Sequence, residues 1–418
     1  MISKSQFELT THTMKVLINV ALLHYGFSIF EKTELRGDVW PKPQYISTDV
    51  ESIYKFDAKT INFPESSTTD CSEFINDLNT RYSAIFQNPF LHYQGEFIPG
   101  QDVNPTATGK IENLIIEGSL KDCNVFPHLN MDESYEILMS DDTITIKADA
   151  IWGVVRAYET LSQMIWWASE SEAFIFQTTV NDYARYKYRG FMLDTSRHFF
   201  HTNTIYQLLD GMAYNKLNVF HWHITDGQSF PYQSKVYPEL SAKGAYLPAE
   251  NHVYTIAEIS DILEFARHRG IRVIPEFDTP GHLASWCGAF PDLCVKCNGN
   301  SWDKDQMGRF YGYGPFKVSN ETNYEIMKNL FTELRSVFKD VKMHLGGDEV
   351  PGNCWLADED VKKWADEKGF KTDFEIQSYH LSRMYDIMQE VGFEYMIWDE
   401  AFGVQGKFET EIILNFFS

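Results

Sequence analysis

Short apolar runs alternate with segments of helical periodicity from residue 188 onward, and this alternation constrains the fold more than any other feature of the chain. The apolar runs lie at 189–193, 218–224, 271–277, 341–345, 395–398 and 411–417, and the helical segments near 204–214, 255–269, 324–338, 358–367 and 373–391. Buried strands that are regularly separated by helices are typical of parallel βα units. The pattern therefore predicts six parallel strands, arranged either as a doubly wound sheet or as a (β/α)8 barrel.

Polar side chains follow the carboxyl end of one predicted strand after another, and this favours the barrel. They are Asp194 and Arg197, Asp226, Glu276 and Asp278, Asp348 and Glu349, and Asp399 and Glu400. In a barrel these ends meet at one mouth, and no glycine-rich phosphate loop follows the first strand as a doubly wound nucleotide-binding fold would require. One such pair alone is usually solvated or part of a structural ion pair. Five in succession indicate a ring that could hold a divalent metal, or that could bind sugar hydroxyls and protonate a glycosidic oxygen.

Tryptophan is frequent around these strand ends, and most of these side chains are expected to belong to the core. Trp398 is different because it comes directly before Asp399 at a strand end. Aromatic faces pack well against the apolar C–H faces of sugar rings. Trp398 is therefore the best candidate for a sugar-binding platform.

The region before the alternation reads as a separate small α+β domain. Strand-like runs lie at 111–118, 135–139 and 143–147, and a helical pattern follows at 151–167. We predict an N-terminal domain at 38–183, without catalytic residues, and a barrel domain at 184–418.

Residues 1–30 resemble an export leader. A lysine, a short apolar run and small residues follow one another at 15–30, which is the order of a secretory signal peptide, although a first helix of the fold would read similarly. The triplet that begins at Asn320 is an N-glycosylation sequon, which suits an exported chain.

Six cysteines behind a leader are expected to form disulfides. Cys71 and Cys123 could close one loop in the N-terminal third. Cys297 and Cys354 are the other disulfide candidates, and the pairing of Cys287 and Cys294 stays open. The alternative is a zinc site, since Cys294 and Cys297 form a CxxC pair with Cys287 and His282 nearby.

The charge of the chain excludes some partners. With 36 Lys and Arg against 59 Asp and Glu, the formal net charge is −23. Nucleic acids and anionic membrane surfaces would repel such a chain, and no apolar run is long enough to span a membrane.

Four ordered segments at consecutive strand ends resemble glycoside hydrolase family 20, the β-N-acetylhexosaminidases. HLGGDEV at 344–350 is similar to the family signature, and it is supported by RGFMLDTSRHF (189–199), NKLNVFHWHITDGQSFP (215–231) and IRVIPEFDTPGHLASW (271–286). The first domain also resembles the N-terminal domain of the animal lysosomal or secreted members. The resemblance implies a TIM-type barrel behind a small α+β domain, and a lysosomal or secreted location.

The resemblance implies that the chain removes terminal GlcNAc or GalNAc from glycoconjugates by a retaining, substrate-assisted mechanism. Glu349 would act as general acid and then base, and burial beside another carboxylate is expected to keep it protonated. Asp348 would orient the 2-acetamido group of the substrate. Arg197, Asp226 and His282 would bind the sugar or hold the acid–base network. No cofactor and no metal are expected, and because animal relatives form dimers, a homodimer is one available assembly.

The family has two further βα units, which carry a tyrosine, a tryptophan and an acid that close the sugar pocket, and they have no counterpart before Ser418. We therefore expect a C-terminally truncated chain of about six units with open sheet edges. Besides the exo-acting hexosaminidase, an inactive relative that binds sugar or regulates stays open. A third hypothesis is a divalent-metal hydrolase built on the same carboxylates.

Overall fold

The computed structural model describes residues 38–64, 71–88, 105–169, 171–297, 303–304, 310–311, 313–404 and 413–415, so the leader predicted at 1–30 lies outside the described residues. Two sheets organise this part of the chain, and each has its own apolar core. No helix in these ranges is long and apolar enough to cross a membrane.

The first sheet has seven strands and belongs to the N-terminal region. Its strands are β1 Tyr45–Phe56, β2 Gly109–Lys110, β3 Asn113–Glu117, β4 Tyr135–Ser140, β5 Thr143–Lys147, β6 Trp166–Ser169 and β7 Glu172–Asp182. They are ordered β2-β1-β7-β4-β5-β3, with β6 paired to β7. Helices α1 (Ser72–Phe86) and α2 (Ile151–Met164) contribute apolar side chains to the same core.

The helix predicted at 151–167 is three residues too long. Ile165 has extended backbone angles, and Trp166 and Trp167 pair with β7 as part of β6. Bulky aromatic residues favour a pleated strand over a helix, where their χ1 freedom is restricted.

The second sheet contains six parallel strands in chain order. They are β8 Gly190–Asp194, β9 Val219–Thr225, β10 Arg272–Phe277, β15 Lys342–His344, β16 Glu394–Trp398 and β17 Ile413–Asn415; the strands between them, β11 Cys294–Lys296, β12 Asp303–Lys304, β13 Phe310–Tyr311 and β14 Tyr313–Phe316, form two separate antiparallel pairs. Each strand lies beside its predecessor, whereas the strand order of a doubly wound sheet reverses. The sheet is therefore singly wound, as in a TIM-type barrel, and the number of units in a closed barrel stays a prediction.

Helices connect the strands of the second sheet. They are α3 Thr202–Tyr214, α4 Glu239–Gly244, α5 Ile256–Arg267, α6 Ala284–Cys287, α7 Glu321–Val337, α8 Asn353–Ala357, α9 Glu359–Lys368, α10 Asp373–Val391 and α11 Asp399–Val404, with short 3-10 turns at Pro248–Glu250 and Pro291–Leu293. Thr255 and Glu258 form a reciprocal capping box at the start of α5, and Thr372 and Glu375 form another at the start of α10. Such boxes satisfy amide groups that the first helical turn leaves unpaired.

The two faces of the barrel strands differ in chemistry. In β9, Phe220, Trp222 and Ile224 pack into the core formed with the helices. Alternate residues of a strand point to opposite faces, so His221 and His223 point to the inner side. Both histidines are nonetheless buried. The inner side of the sheet therefore carries polar groups that need partners of their own, beside an apolar cluster of Val219, Ile274 and Met396.

Disulfides join all six cysteines. The pairs are Cys71–Cys123, Cys287–Cys294 and Cys297–Cys354, and no free cysteine remains. The alternative of a zinc site at the CxxC pair is therefore wrong, because both of its sulfurs are bonded to other cysteines.

A buried ion cluster holds the first region against the barrel strands. Glu133 accepts hydrogen bonds from Arg156 Nε (2.8 Å) and Arg189 Nη2 (2.6 Å), and Arg156 also donates to the carbonyls of Arg269 and Gly270. Arg189 directly precedes β8, and residues 269–270 precede β10. The contact therefore fixes the amino ends of the barrel strands.

Glu133→Gln should lower the free energy of unfolding by about 3 kcal/mol, because it leaves two buried guanidinium groups without their counter-charge. Glu172→Gln is the matched control, since the ion pair of Glu172 with Lys55 is exposed on both sides and should change stability by less than about 1 kcal/mol. Urea denaturation of both variants measures the difference. Equal losses would contradict the role assigned to Glu133.

Candidate active site

The carboxylate of Glu276 lies at the centre of the inner face and is fully buried. It accepts hydrogen bonds from His221 Nε2 (2.6 Å), His223 Nδ1 (2.9 Å) and Trp398 Nε1 (3.0 Å). Burial opposes ionisation of Glu276, but the histidine rings around it and their hydrogen bonds lower its pKa well below the usual range. Strands β9, β10 and β16 are thus joined through one charged group.

His344 of β15 packs beside this carboxylate in the neutral form. Its Nδ1 accepts a hydrogen bond from the amide of Gly346 at 3.0 Å, and burial lowers its pKa. Its ring lies 4.3 Å, centroid to centroid, from that of Trp398. The next strand is therefore fitted to the same centre by this ring packing and by the 3.3 Å approach of His344 Nδ1 to Glu276 Oε1.

Asp226 collects three positively charged groups one layer nearer the mouth. His223 Nε2 lies 2.9 Å from its Oδ2, Arg197 Nη2 lies 2.8 Å from the same oxygen, and His282 Nδ1 lies 3.2 Å from its Oδ1. Burial opposes ionisation of Asp226, but hydrogen bonds from His223 and His282 lower its pKa to about 2. Arg197 also donates to Asp194 at 2.8 Å, so its fork is fixed at the mouth.

His282 connects this group to the acidic pair. Its Nε2 lies 3.8 Å from Glu349 Oε2, 4.0 Å from Asp348 Oδ1 and 3.9 Å from Asp278 Oδ2. Burial opposes protonation of the ring, but the hydrogen bond to Asp226 and the nearby carboxylates raise the pKa of His282 to about 9. The predicted meeting of Asp348, Glu349 and Arg197 at one mouth is therefore present, with a cationic imidazole between them.

The backbone at this mouth adopts conformations that are rare for residues other than glycine. His282 has φ +55° and Glu349 has φ +47°, both in the left-handed region. Such residues cluster at functional sites, where the surrounding structure holds them.

Two carboxyl groups at the mouth have raised pKa values. Burial raises the pKa of Asp348, and burial together with neighbouring carboxylates raises the pKa of Asp278 well above its usual range.

Two glycines bring the acidic pair close to Asp278. Gly346 has φ +67°, and a Cβ there would collide with the carboxylate of Asp278. The amide of Gly347 donates to the same carboxylate at 2.9 Å. The GG of the HLGGDEV segment is therefore a steric requirement of the site.

The expectation that Glu349 is buried is wrong. Its side chain is 72% exposed, against 27% for Asp348. Its backbone amide donates to Glu400 at 3.0 Å, which fixes the start of the side chain while the carboxyl group extends from the mouth. Asp348 is therefore the more buried of the two acids, and Glu349, in the loop after β15 and with a left-handed backbone, is the exposed one.

Trp398 and Asn320 lie in settings that the sequence did not indicate. Trp398 is only 8% exposed, and its indole supports Glu276; its role as a sugar platform stays a prediction. Asn320 caps α7, where its side chain accepts a hydrogen bond from the amide of Thr322 at 3.1 Å. Glycosylation there also stays a prediction.

Sequence reasoning missed the group around Glu276. It noted Glu276 only as a strand-end acid, and His221 and His223 entered only as part of the segment 215–231. His344 was not singled out at all. The available signal was that histidines and an acid recur at the inner positions of three neighbouring strands, but it needs the strand register to be seen.

Within the described part of the chain, three sets of side chains bring potential metal-ligand atoms within 4.8 Å of one another. They are His221, Glu276 and His344; Asp226, Asp278 and His282; and His282, Asp348 and Glu349. In the first set, both oxygens of Glu276 already accept hydrogen bonds, and His344 Nδ1 already accepts one. In the second, His282 Nδ1 is bonded to Asp226. The donor atoms of these two sets are thus engaged with one another. In the third set the raised pKa of His282 favours the protonated ring, and a protonated nitrogen has no lone pair for a metal ion. We therefore assign no metal.

The arrangement suits acid–base chemistry on a sugar. Glu349 offers an accessible carboxyl group, Asp348 offers a second one within 4.8 Å on the inner side, and Arg197 offers a guanidinium fork for hydroxyl or carbonyl oxygens. A carboxylate-rich mouth on a singly wound parallel sheet is the class of site that glycoside hydrolases use.

Comparison with known proteins gives the family. The description "Glycosyl hydrolase family 20, catalytic domain" matches residues 186–417, and "beta-acetyl hexosaminidase like" matches residues 39–164. "Beta-hexosaminidase subunit alpha" of Rattus norvegicus is 34% identical over 385 residues, which cover 90% of this chain and 70% of that protein. "Beta-hexosaminidase subunit beta" of Homo sapiens is 38% identical over 311 residues, which cover 74% of this chain and 54% of that protein.

Solved structures agree on the fold. The chitobiase of Flavobacterium johnsoniae superposes with a TM-score of 0.68 at 25% identity, covering 87% of this chain and 52% of that one. The N-acetyl-beta-hexosaminidase of Streptomyces plicatus gives 0.64 at 20% identity, covering 90% and 68%. This chain therefore belongs to glycosyl hydrolase family 20, and it spans about half the length of the chitobiase.

Gly346→Ala should lower the free energy of unfolding by about 3 kcal/mol or more, because it adds both left-handed strain and a collision with Asp278. Gly369→Ala is the control: Gly369 also has positive φ, but nothing lies within 4 Å of its Cβ position, so only about 1–2 kcal/mol of strain is expected. Thermal or urea unfolding measures both. Similar losses would show that the Gly346 site has room for a side chain.

The pH dependence of stability should report the charge of His282. Its pKa is raised from 6.5 to about 9, so its contribution is complete below pH 6.5 and is lost as the pH rises through 9. The difference in unfolding free energy between the wild type and His282→Asn should therefore be constant at acidic pH and shrink above neutrality. Urea titrations at stepped pH test this, and a difference that grows with pH would refute it.

Proposed function

We propose that this chain is an exo-acting β-N-acetylhexosaminidase that removes terminal non-reducing GlcNAc or GalNAc from glycoconjugates. The observation that carries the proposal is the convergence of Asp348, Glu349 and Arg197 around His282 at the barrel mouth. Membership of family 20 and the hexosaminidase relatives support it.

Both carboxyl groups belong to adjacent residues, and this limits the mechanism. A glycosidase with a protein nucleophile needs two carboxyl groups on opposite sides of the scissile bond. Oxygens of Asp348 and Glu349 that lie within 4.8 Å of each other come from the same loop. The nucleophile is then the acetamido oxygen of the substrate, as in substrate-assisted members of this class.

In the first step Glu349 donates its proton to the glycosidic oxygen, and the acetamido oxygen attacks the anomeric carbon. The bond to the leaving group breaks and an oxazolinium ion forms. In the second step a water attacks the same carbon and gives its proton to Glu349, and the oxazoline bond opens. Two inversions retain the configuration, and Asp348 accepts the amide N–H and stabilises the positive charge.

The exposure of Glu349 in the free protein fits a role that begins with substrate. A sugar ring seated at the mouth would cover the carboxyl group and withdraw it from water, and lower solvation favours the protonated form. Arg197 would bind hydroxyls of the terminal sugar through the part of its fork that Asp226 and Asp194 leave free. His282 and Asp226 would hold these groups in place.

The setting of the enzyme follows from its chemistry. We place it in a lysosomal or secreted compartment, because three disulfides form and persist under oxidising conditions. We also propose that residues 1–30 are an export leader, that the domains span 38–183 and 184–418, and that the chain forms a homodimer. Nucleic acid is not among the expected partners of a chain with net charge −23.

Glu349→Gln should lower kcat by about 10²- to 10⁴-fold on 4-nitrophenyl N-acetyl-β-D-glucosaminide, because the amide cannot donate or accept the proton. Asp348→Asn should lower kcat by about 10²- to 10³-fold through loss of charge stabilisation. Glu367→Gln, on the exposed side of α9, is the matched control and should leave the rate unchanged.

The substrate itself supplies a second test. The corresponding β-glucoside, which lacks the acetamido group, should not be hydrolysed, and a trifluoroacetamido substrate should react more slowly because its oxygen is a weaker nucleophile. Equal rates on all three substrates would rule out substrate assistance. Wild-type protein that binds N-acetylglucosamine but turns over none of them would show a sugar-binding relative instead.

A further inference from the structure

We propose that Glu276 and His223 are positioning residues that act through Asp226, and that together they fix His282 as a hydrogen-bond donor directed at Asp348 and Glu349. This inference rests on the proposed function only for the roles of the acidic pair. The series Glu276–His223–Asp226–His282 is called the buried series below.

The buried series is continuous in space. His223 Nδ1 lies 2.9 Å from Glu276 Oε2, His223 Nε2 lies 2.9 Å from Asp226 Oδ2, and His282 Nδ1 lies 3.2 Å from Asp226 Oδ1. Glu276, His223 and Asp226 are all buried. Carboxylates and imidazoles therefore alternate from the centre of the barrel to its mouth, with water excluded from the first three.

The alternation fixes where the protons are. Both ring nitrogens of His223 face carboxylate oxygens at 2.9 Å, and only an imidazolium donates to both. Arg197 Nη1, at 3.2 Å from Nε2, opposes that charge, but the two carboxylates lie closer, and we therefore assign His223 as an imidazolium. Burial opposes that charge, but Glu276 and Asp226 raise the pKa of His223 well above its usual value. With His223 donating to it, Asp226 stays a carboxylate and accepts from Nδ1 of His282.

The far nitrogen of His282 is the end of the series. Its Nε2 is buried and has no hydrogen-bond partner among the described residues. It lies 3.8 Å from Glu349 Oε2 and 4.0 Å from Asp348 Oδ1. Asp348 Oδ1 is also buried and has no hydrogen-bond partner among the described residues. A donor that is held 3.8–4.0 Å from two acids is placed to bond to either of them, or to a group bound between them.

The other charged groups around His282 are few and come from every neighbouring strand end. Arg197 Nη2 lies 3.4 Å from Nδ1 on the side of β8, Asp278 lies 3.9 Å from Nε2 in the same loop, and Glu400 on the side of β16 holds the amide of Glu349. Arg197 disfavours a charged His282, and Asp278 favours it. Asp226 is the closest carboxylate, so its ionisation decides the charge on the ring.

Glu276→Gln tests the inference without touching His282. The side-chain amide oxygen of Gln accepts a hydrogen bond from His223 Nδ1 but carries no charge to balance a protonated ring, so His223 should turn neutral. Asp226 then loses the donor that favours its ionised form, and a less ionised Asp226 stabilises the charge on His282 less. We expect the pKa of His282, followed by NMR on protein with ¹⁵N-labelled histidine, to fall by about one unit. His268→Asn is the matched control, because it removes a histidine–aspartate pair at 2.7 Å outside the barrel interior.

Kinetics give a second readout that a merely structural role would not move. Glu276→Gln should retain most of its kcat/KM at acidic pH and lose it at neutral pH, which narrows the profile on the alkaline side. A uniform loss across pH, or an unchanged pKa of His282 in the folded variant, would overturn the inference.

The wild type alone also decides the question if the variant does not fold. His223 should show the ¹⁵N shifts of an imidazolium at pH 7, and a neutral His223 would refute the buried series. Because the NMR measurements need no turnover, they separate failure of this inference from failure of the proposed activity, which the wild-type assay reports by itself.

Discussion

The ionised carboxylate of Glu276, buried inside the barrel, is the constraint on which the site depends. Burying such a charge is costly unless hydrogen bonds replace its hydration. His221 and His223 supply two of these bonds from β9, which is paired with β10, and Trp398 supplies the third from β16, two strands away on the other side. A slip of one residue in β9 or β16 would turn these side chains to the other face and remove bonds that the charge needs. The hydrogen bonds to the Glu276 carboxylate therefore favour a single register of the sheet.

That register then places the chemistry. Asp226 follows β9 by one residue, and Asp348 follows β15 by four, so their positions are determined once the strands are aligned. The remaining distance is covered by strained backbone. Gly346 lets the loop pass against Asp278, and His282 and Glu349 have left-handed backbone conformations at the mouth. Strain of this kind persists only where packing and hydrogen bonds over-determine the loop, and the Glu276 layer beneath it provides that rigidity.

The parts of this structure that local patterns encode were predictable. Parallel strands that are largely buried form apolar runs in the sequence, so β9, β10, β15 and β16 were located within one or two residues. The apolar residues of β8 located that strand equally well although it is largely exposed, and the capping box at Thr255 marked its helix. Strand β1 was not predicted because it contains too few apolar residues to show a clear alternation. Strand β6 was wrongly included in the helix predicted at 151–167. The Glu276 layer, which consists of Glu276 with His221, His223, His344 and Trp398, could not be predicted from residue spacing. Its members come from four strands, and they are brought together only when these strands are aligned in the sheet. Exposure of Glu349 was mispredicted because adjacency in sequence was taken as shared burial.

The contact between the two regions lies at the end of the barrel sheet opposite to the chemistry. Glu133 binds Arg189 and Arg156, and Asn218, which precedes β9, donates to Glu133 at 3.3 Å. Arg189 and Asn218 stand at the amino ends of barrel strands, and Arg156 of α2 reaches the carbonyls of residues 269–270 before β10, whereas Asp226, Asp348 and Glu349 follow carboxyl ends. In parallel barrels the amino-terminal face serves stability and the carboxyl-terminal face serves catalysis. The first region therefore contributes to activity by clamping β8, β9 and β10 at one end, and this keeps the alignment that the Glu276 layer requires at the other.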